Sequence, residues 1–336
     1  MHTKPGDQIP KVAVVSVQGR ATLPLHGAAS LEEAADVTYL PRAGSMSRDD
    51  AVTSFADADV VAVTPKVAPV FDEELLSALP RLRGIALYAT GYDFLDVELL
   101  HAYGVVLTHL PEYSTTSVAE HALGMLLTLS RRIHLGNDRS RGLVSAQTSL
   151  RGFELAGRTL GVFGLGRIGT RFSGLAQALG MHVLGNDLRR DREAPAGVEL
   201  APMCDLLARA NAVVVLCSAA YRGGALIGPA ELAAMPPGSV LVNASRASLV
   251  DTDAVAAAIR SGELRGYALD DAVCDRHAHA DLLAEGRIVQ TGHSAWWSDE
   301  VLARGGAMWA ENIRQLAVGC PAHVVQPTSV VTVEGV

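Results

Sequence analysis

The sequence predicts an α/β protein of two domains, one of them built on a doubly wound parallel sheet. Three observations carry this: short β-branched runs that alternate with helix-like stretches, a glycine-rich turn set between a strand and a helix, and a length of 336 residues, which by the usual domain size corresponds to about two domains. Apolar residues make up 49% of the chain and the net charge is −8, the balance of a soluble globular protein with ample core. An acidic chain without a Lys/Arg-rich run is a poor match to a nucleic-acid backbone or an anionic membrane, so a small molecule is the expected partner. The 4 cysteines are widely spread without a C-x-x-C pair, and neither a signal-peptide core nor a long apolar run is visible. A cytoplasmic location is the expectation.

Taken in order, the first third offers strands at Val12–Val17, Val60–Val63, Ile85–Tyr88 and Val105–Leu107, with helices at Asp72–Leu79 and Asp96–Tyr103. Residues 114–134 then read as one long helix, because Val118, His121, Ala122, Met125, Leu126 and Leu129 share a face. Beyond it, βα units follow in quick succession. Strands are expected at Thr159–Phe163, Met181–Leu184, Ala212–Leu216, Ser239–Val242, Gly266–Leu269 and Arg287–Gln290, and helices at Arg167–Leu179, Ala230–Met235, Thr252–Ser261 and Ser298–Val318. The tail after Gly319 is expected to return to the first domain.

Gly164, Gly166 and Gly169 form a G-x-G-x-x-G turn directly after the Thr159–Phe163 strand, with Arg167 and Ile168 opening the helix. Gly164 permits the tight turn, Gly166 lets backbone N–H groups approach a pyrophosphate, and Gly169 lets helix and strand pack closely. Asp187 lies 18 residues beyond Gly169, at the end of the next strand, where a carboxylate accepts hydrogen bonds from a ribose 2′-OH. NAD is therefore the expected cofactor, while Arg189 and Arg190 leave NADP open.

Downstream, Arg246, Asp270 and His293 each stand just past the carboxyl end of an expected strand, the ligand-binding edge of an open α/β sheet. An arginine there can clamp a 2-oxoacid, and a histidine can supply the proton that accompanies a hydride. Cys274, Asp275, His277, His279 and Asp281 superficially offer metal ligands, but all within one short loop, so no metal site is expected. Glu120 and His121, adjacent on a helix, point to different faces and read as packing residues.

These motifs resemble the D-isomer-specific 2-hydroxyacid dehydrogenases from about Lys11 to Pro327. Gly91-Tyr92-Asp93-Phe94-Leu95-Asp96 looks like that family's G-x-D-x-x-D turn, Val118-Ala119-Glu120-His121 like its V-A-E-H helix start, and Gly164–Gly169 like its cofactor turn. His293-Ser294-Ala295-Trp296-Trp297-Ser298 is similar to a segment of the C-terminal-binding-protein branch. The resemblance implies a doubly wound NAD-binding domain (110–299) inserted into a smaller flavodoxin-like substrate domain (1–109 and 300–336). It implies Arg246 and His293 as catalytic residues, and Thr90, Gly91, Arg246 and Trp296 as substrate contacts. It further implies Ser218, Ala244 and Asp270 beside the cofactor, and a homodimer formed through the 114–134 helix.

Departures from the family pattern accompany the matches. The glutamate that partners the histidine has no counterpart; counting from Asp270 puts its place at Asp275, our expectation, and counting back from His293 allows Cys274. Gly292 stands where the family has proline, Ala247 where it has glycine, and Cys217-Ser218-Ala219 where His-x-Pro covers the adenine. Thr90 stands where the phosphite-oxidising branch has lysine. The expected activity is interconversion of a small 2-oxoacid and its (R)-2-hydroxyacid. The alternatives are an NAD(H)-sensing, corepressor-like binding protein with vestigial catalysis, and a dehydrogenase for an unusual acid such as a phosphonate-bearing one.

Overall fold

The computed structural model describes residues 9–189, 193–217, 224–271 and 274–327. The chain divides into two compact units. One comprises the residues up to Tyr113 with those from Ser298 onward, and the other runs from Ser114 to Trp297. The sequence places these crossings at 109/110 and 299/300.

The first unit holds β1 (Lys11–Ser16), β2 (Asp36–Pro41), β3 (Val60–Val63), β4 (Gly84–Leu87) and β5 (Val106–Thr108). They form a parallel sheet of order β2-β1-β3-β4-β5, the flavodoxin-like order. Strand β2 is absent from the sequence expectation, because its residues are only partly buried and alternate weakly. The helix Asp299–Ala317 packs on this sheet although it lies at the other end of the chain. Trp309, fully buried, donates its Nε1–H to the carbonyl oxygen of Ala86 at 2.9 Å and so fixes that helix on β4. The tail returns as expected, with Val325 N–H bonded to Leu107 at 2.8 Å.

The second unit holds β6 (Thr159–Phe163), β7 (His182–Asn186), β8 (Val198–Leu200), β9 (Ala212–Val215), β10 (Ser239–Asn243), β11 (Leu264–Leu269) and β12 (Ile288–Gln290). These form one parallel sheet, β12-β11-β10-β9-β6-β7-β8. Strand order reverses between β6 and β9, the switch point of a doubly wound fold, so the carboxyl ends of the central strands open onto a ligand-binding edge. Six of these strands are expected from the sequence; the seventh, β8, is a three-residue edge strand with two exposed positions, too short to carry a periodic signal. The long helix also differs from expectation. Thr115–Arg131 ends at Arg132, whose φ of 54° breaks the ladder, and a second helix runs Ile133–Ser140. Apolar layers cover both faces of the sheet, one including Leu126, Phe172 and Val240, the other Phe163, Leu241 and Tyr267. Among the described residues, no helix is long and apolar enough to cross a membrane.

Candidate active site

The glycine turn follows β6 without an intervening residue. Gly164 has a φ of 90°, and a Cβ there would lie 2.6 Å from backbone atoms of Cys217. A Cβ on Gly169 would run into the carbonyl oxygen of Gly164. Both glycines are therefore required by backbone contact, which leaves a cradle that a pyrophosphate can approach. Gly166 caps the helix Arg167–Ala178 without a side chain, so the positive end of the helix faces the cradle, as suits phosphate oxygens. Asp187, at the end of β7, accepts from the backbone N–H of Leu165 at 2.8 Å and of Arg189 at 3.0 Å. That places its carboxylate on the glycine turn itself, and the Arg189 guanidinium lies 4.0 Å away. Ala244, just past β10, is held by its N–H to Val215 at 3.3 Å. Ser218 and Arg190, also named from the sequence, lie outside the described residues.

Farther along the same edge stand the groups expected to do chemistry. Arg246 follows β10, in a turn closed by Asn243, whose side chain donates to the Arg246 carbonyl at 2.8 Å and accepts from Ser245 N–H at 3.0 Å. His293 follows β12. Its Nδ1 lies 3.0 Å from a carboxylate oxygen, and that carboxylate belongs to Asp271. The same oxygen is 3.9 Å from Arg246 Nη1, and the other oxygen of Asp271 accepts from Ala247 N–H at 3.1 Å. Asp271 thus stands between the guanidinium and the imidazole, only 21% exposed, while 52% of the His293 side chain faces solvent.

Electrostatics follow from this geometry. The hydrogen bond and charge of Asp271 raise the His293 pKa above its ordinary value, against the opposing effects of burial and of Arg246. In return, the Asp271 carboxyl is held below its ordinary value, first by His293 and then by the Ala247 N–H and Arg246. An imidazole so placed holds its proton to higher pH than a free one, which suits it to exchange a proton with a reacting oxygen.

The structure brings Asp271 to His293 and turns Asp275, expected there from the sequence, toward its own loop. The exposed Asp275 carboxylate folds back onto its own turn, accepting from the N–H of His277 at 2.8 Å and Ala278 at 3.2 Å. An aspartate two and three residues before free N–H groups closes an Asx turn locally, and that competes with any reach toward the histidine. The other candidate, Cys274, is buried, its N–H bonded to the Gln290 side chain at 2.9 Å. Among the described residues, no group of three potential ligands could hold a metal ion. Ala247 is not strained: it opens a short 3-10 turn, and its φ is not among the positive ones.

Asp270 sits 5% exposed and holds the loop that carries His293. Its carboxylate accepts from the Thr291 hydroxyl at 2.6 Å, Ser294 N–H at 2.9 Å and Ala295 N–H at 3.2 Å. Sequence reasoning misses His121 here. Its Nε2 lies 3.0 Å from the Thr291 hydroxyl oxygen; since the single Thr291 proton goes to Asp270, His121 is the donor in that contact. The signal is present in the sequence: His121 shares the buried face of Val118, Ala122 and Met125, where a polar side chain needs a partner. Asp271 is missed although Asp270-Asp271 is a doublet at a strand end, where successive side chains point to opposite sides.

Trp296 is half-buried, its ring edge-on to exposed Trp297 with centroids 4.9 Å apart. Thr90 and Gly91 belong to the first unit, just past the carboxyl end of β4. There Thr90 donates its hydroxyl to the Leu110 carbonyl at 2.8 Å and its own carbonyl faces His109 Nδ1 at 2.9 Å.

Residues 123–295 match the model of the D-isomer specific 2-hydroxyacid dehydrogenase NAD binding domain. D-3-phosphoglycerate dehydrogenase of Mycobacterium leprae is 35% identical over 274 residues, which is 81% of this chain and 52% of that protein, so the chain spans about half the length of that relative. Glyoxylate reductase of Thermococcus onnurineus is 30% identical over 280 residues, 81% of this chain and 83% of the relative. Among solved structures, the TT0316 protein of Thermus thermophilus superposes with a TM-score of 0.82 at 28% identity, covering 94% of this chain and 100% of that one. With the glycine cradle, the strand order and these likenesses together, the chain belongs to the D-isomer specific 2-hydroxyacid dehydrogenase family and carries its NAD-binding domain.

Proposed function

We propose that this protein is an NAD(H)-dependent oxidoreductase that interconverts a small 2-oxoacid and its (R)-2-hydroxyacid. The observation that carries the reading is the placement of a guanidinium and a carboxylate-paired imidazole on the sheet edge that also carries the glycine cradle. Bound NADH supplies the hydride. Arg246 directs its N–H donors at the substrate carboxylate and carbonyl oxygen, orienting the acid and drawing electron density from the carbonyl carbon. His293 passes its proton to the carbonyl oxygen as the alcohol forms, and in the reverse direction takes that proton back. Asp187 and the amides of the turn are assigned to the ribose and pyrophosphate, Ala244 and Asp270 to the nicotinamide side. Thr90 and Gly91 are assigned to the substrate carboxylate, and Trp296 to the wall of the substrate pocket. A homodimer formed through the 114–134 region is part of the same reading.

NADH oxidation measured across glyoxylate, hydroxypyruvate, pyruvate, phenylpyruvate, 2-oxoglutarate and phosphonopyruvate tests the proposal and names the substrate class. Turnover of at least one member supports it. NADH binding without turnover of any member overturns it and favours the sensing alternative, for which the displaced acid partner of His293 is the supporting observation.

A further inference from the structure

We infer that in this chain the carboxylate that positions the catalytic histidine has moved to Asp271, at the end of β11, and that Gly292 is the residue whose backbone permits the move. The inference rests on the proposed role of His293. Strand β11 ends at Leu269, so Asp271 is anchored by the sheet, whereas Asp275 lies on the following loop and closes its own turn. The loop after β12 is shaped to meet the nearer acid. Gly292 has a φ of 64° and His293 a φ of 61°, two successive left-handed residues. Proline holds φ near about −65° and cannot adopt the first of these, so a proline at position 292 is incompatible with this turn. A Cβ on Gly292 would meet nothing within 4 Å, so the backbone angle and not space is what demands glycine.

A left-handed histidine is itself strained, and it persists because the surroundings fix it. Its N–H is bonded to the Asp270 carbonyl and its ring to Asp271. The charged or titratable groups that face this ring are Asp271, Asp270 and Arg246, with His121 beyond Asp270. Asp271 also receives the Ala247 N–H. One side chain therefore ties the arginine turn to the histidine loop, which a carboxylate contacting only the imidazole would not do.

The test follows the His293 ring through pH by NMR, with NADH-dependent turnover of the best substrate as a second readout, in Asp271→Asn, Asp275→Asn and Gly292→Pro. In Asp271→Asn the ring is expected to titrate at lower pH than in the parent, kcat for reduction to fall about tenfold or more, and its alkaline limb to move to lower pH. Gly292→Pro is expected to act in the same direction, Gly292→Ala more weakly, and Asp275→Asn to leave the titration and the limb in place. NADH binding, expected to be unchanged throughout, reports that the second unit is folded. If Asp275→Asn lowers the titration and Asp271→Asn does not, or if neither does, the inference is wrong. The NMR readout needs no turnover, so it separates this outcome from failure of the proposed activity.

Discussion

The glycine turn and the histidine loop lie on one sheet edge and are fixed by different physics. At the turn, backbone contacts decide: Gly164 and Gly169 have no room for a Cβ, and the helix begins where the strand ends. At the histidine loop, side chains from three separate segments decide. Asp270 gathers Thr291, Ser294 and Ala295, Asp271 takes the ring, and His121 arrives from a helix 170 residues away in sequence from Thr291. The first arrangement is local and steric; the second is a set of choices among nearby acids that only the folded chain makes.

Perturbing each region separately sharpens this contrast. Gly169→Val is expected to have the largest effect, about 3 kcal/mol of lost stability in urea melts together with loss of detectable NADH fluorescence binding, because the new side chain meets a backbone carbonyl that cannot move. Retained binding would mean the turn is softer than its contacts indicate. Asp270→Ala comes next, at about 2–3 kcal/mol, since it leaves three donors of the histidine loop without their acceptor. Its effect should fall on stability and turnover together, with NADH binding altered less than in Gly169→Val. His121→Ala, which removes one donor from the edge of this network, should cost about 1 kcal/mol. A loss as large as that of Asp270→Ala would place His121 at the centre of the network instead.

The same contrast explains what the sequence discloses. Strand-turn-helix order, the glycine spacing and Asp187 are legible because each depends on chain neighbours. So are Arg246 and His293, which follow strand ends. The edge strands β2 and β8 are not, since short and half-exposed strands carry no alternation. Nor is the break at Arg132, where a non-glycine residue in the left-handed region interrupts an otherwise regular apolar stripe. Counting along the chain gives Asp275, or Cys274 when counted back from His293, and does not reach Asp271, because counting assumes an unchanged loop path. The left-handed angles of Gly292 and His293, the first of which proline cannot adopt, are visible only in the folded chain.

The most direct test of the account is His293→Ala, assayed for NADH affinity and for reduction of the best 2-oxoacid in one preparation. The account predicts NADH affinity close to that of the parent and kcat lower by roughly 100-fold or more, because the cofactor cradle and the proton donor are separate structures on one edge. Turnover retained at the parent level would contradict it.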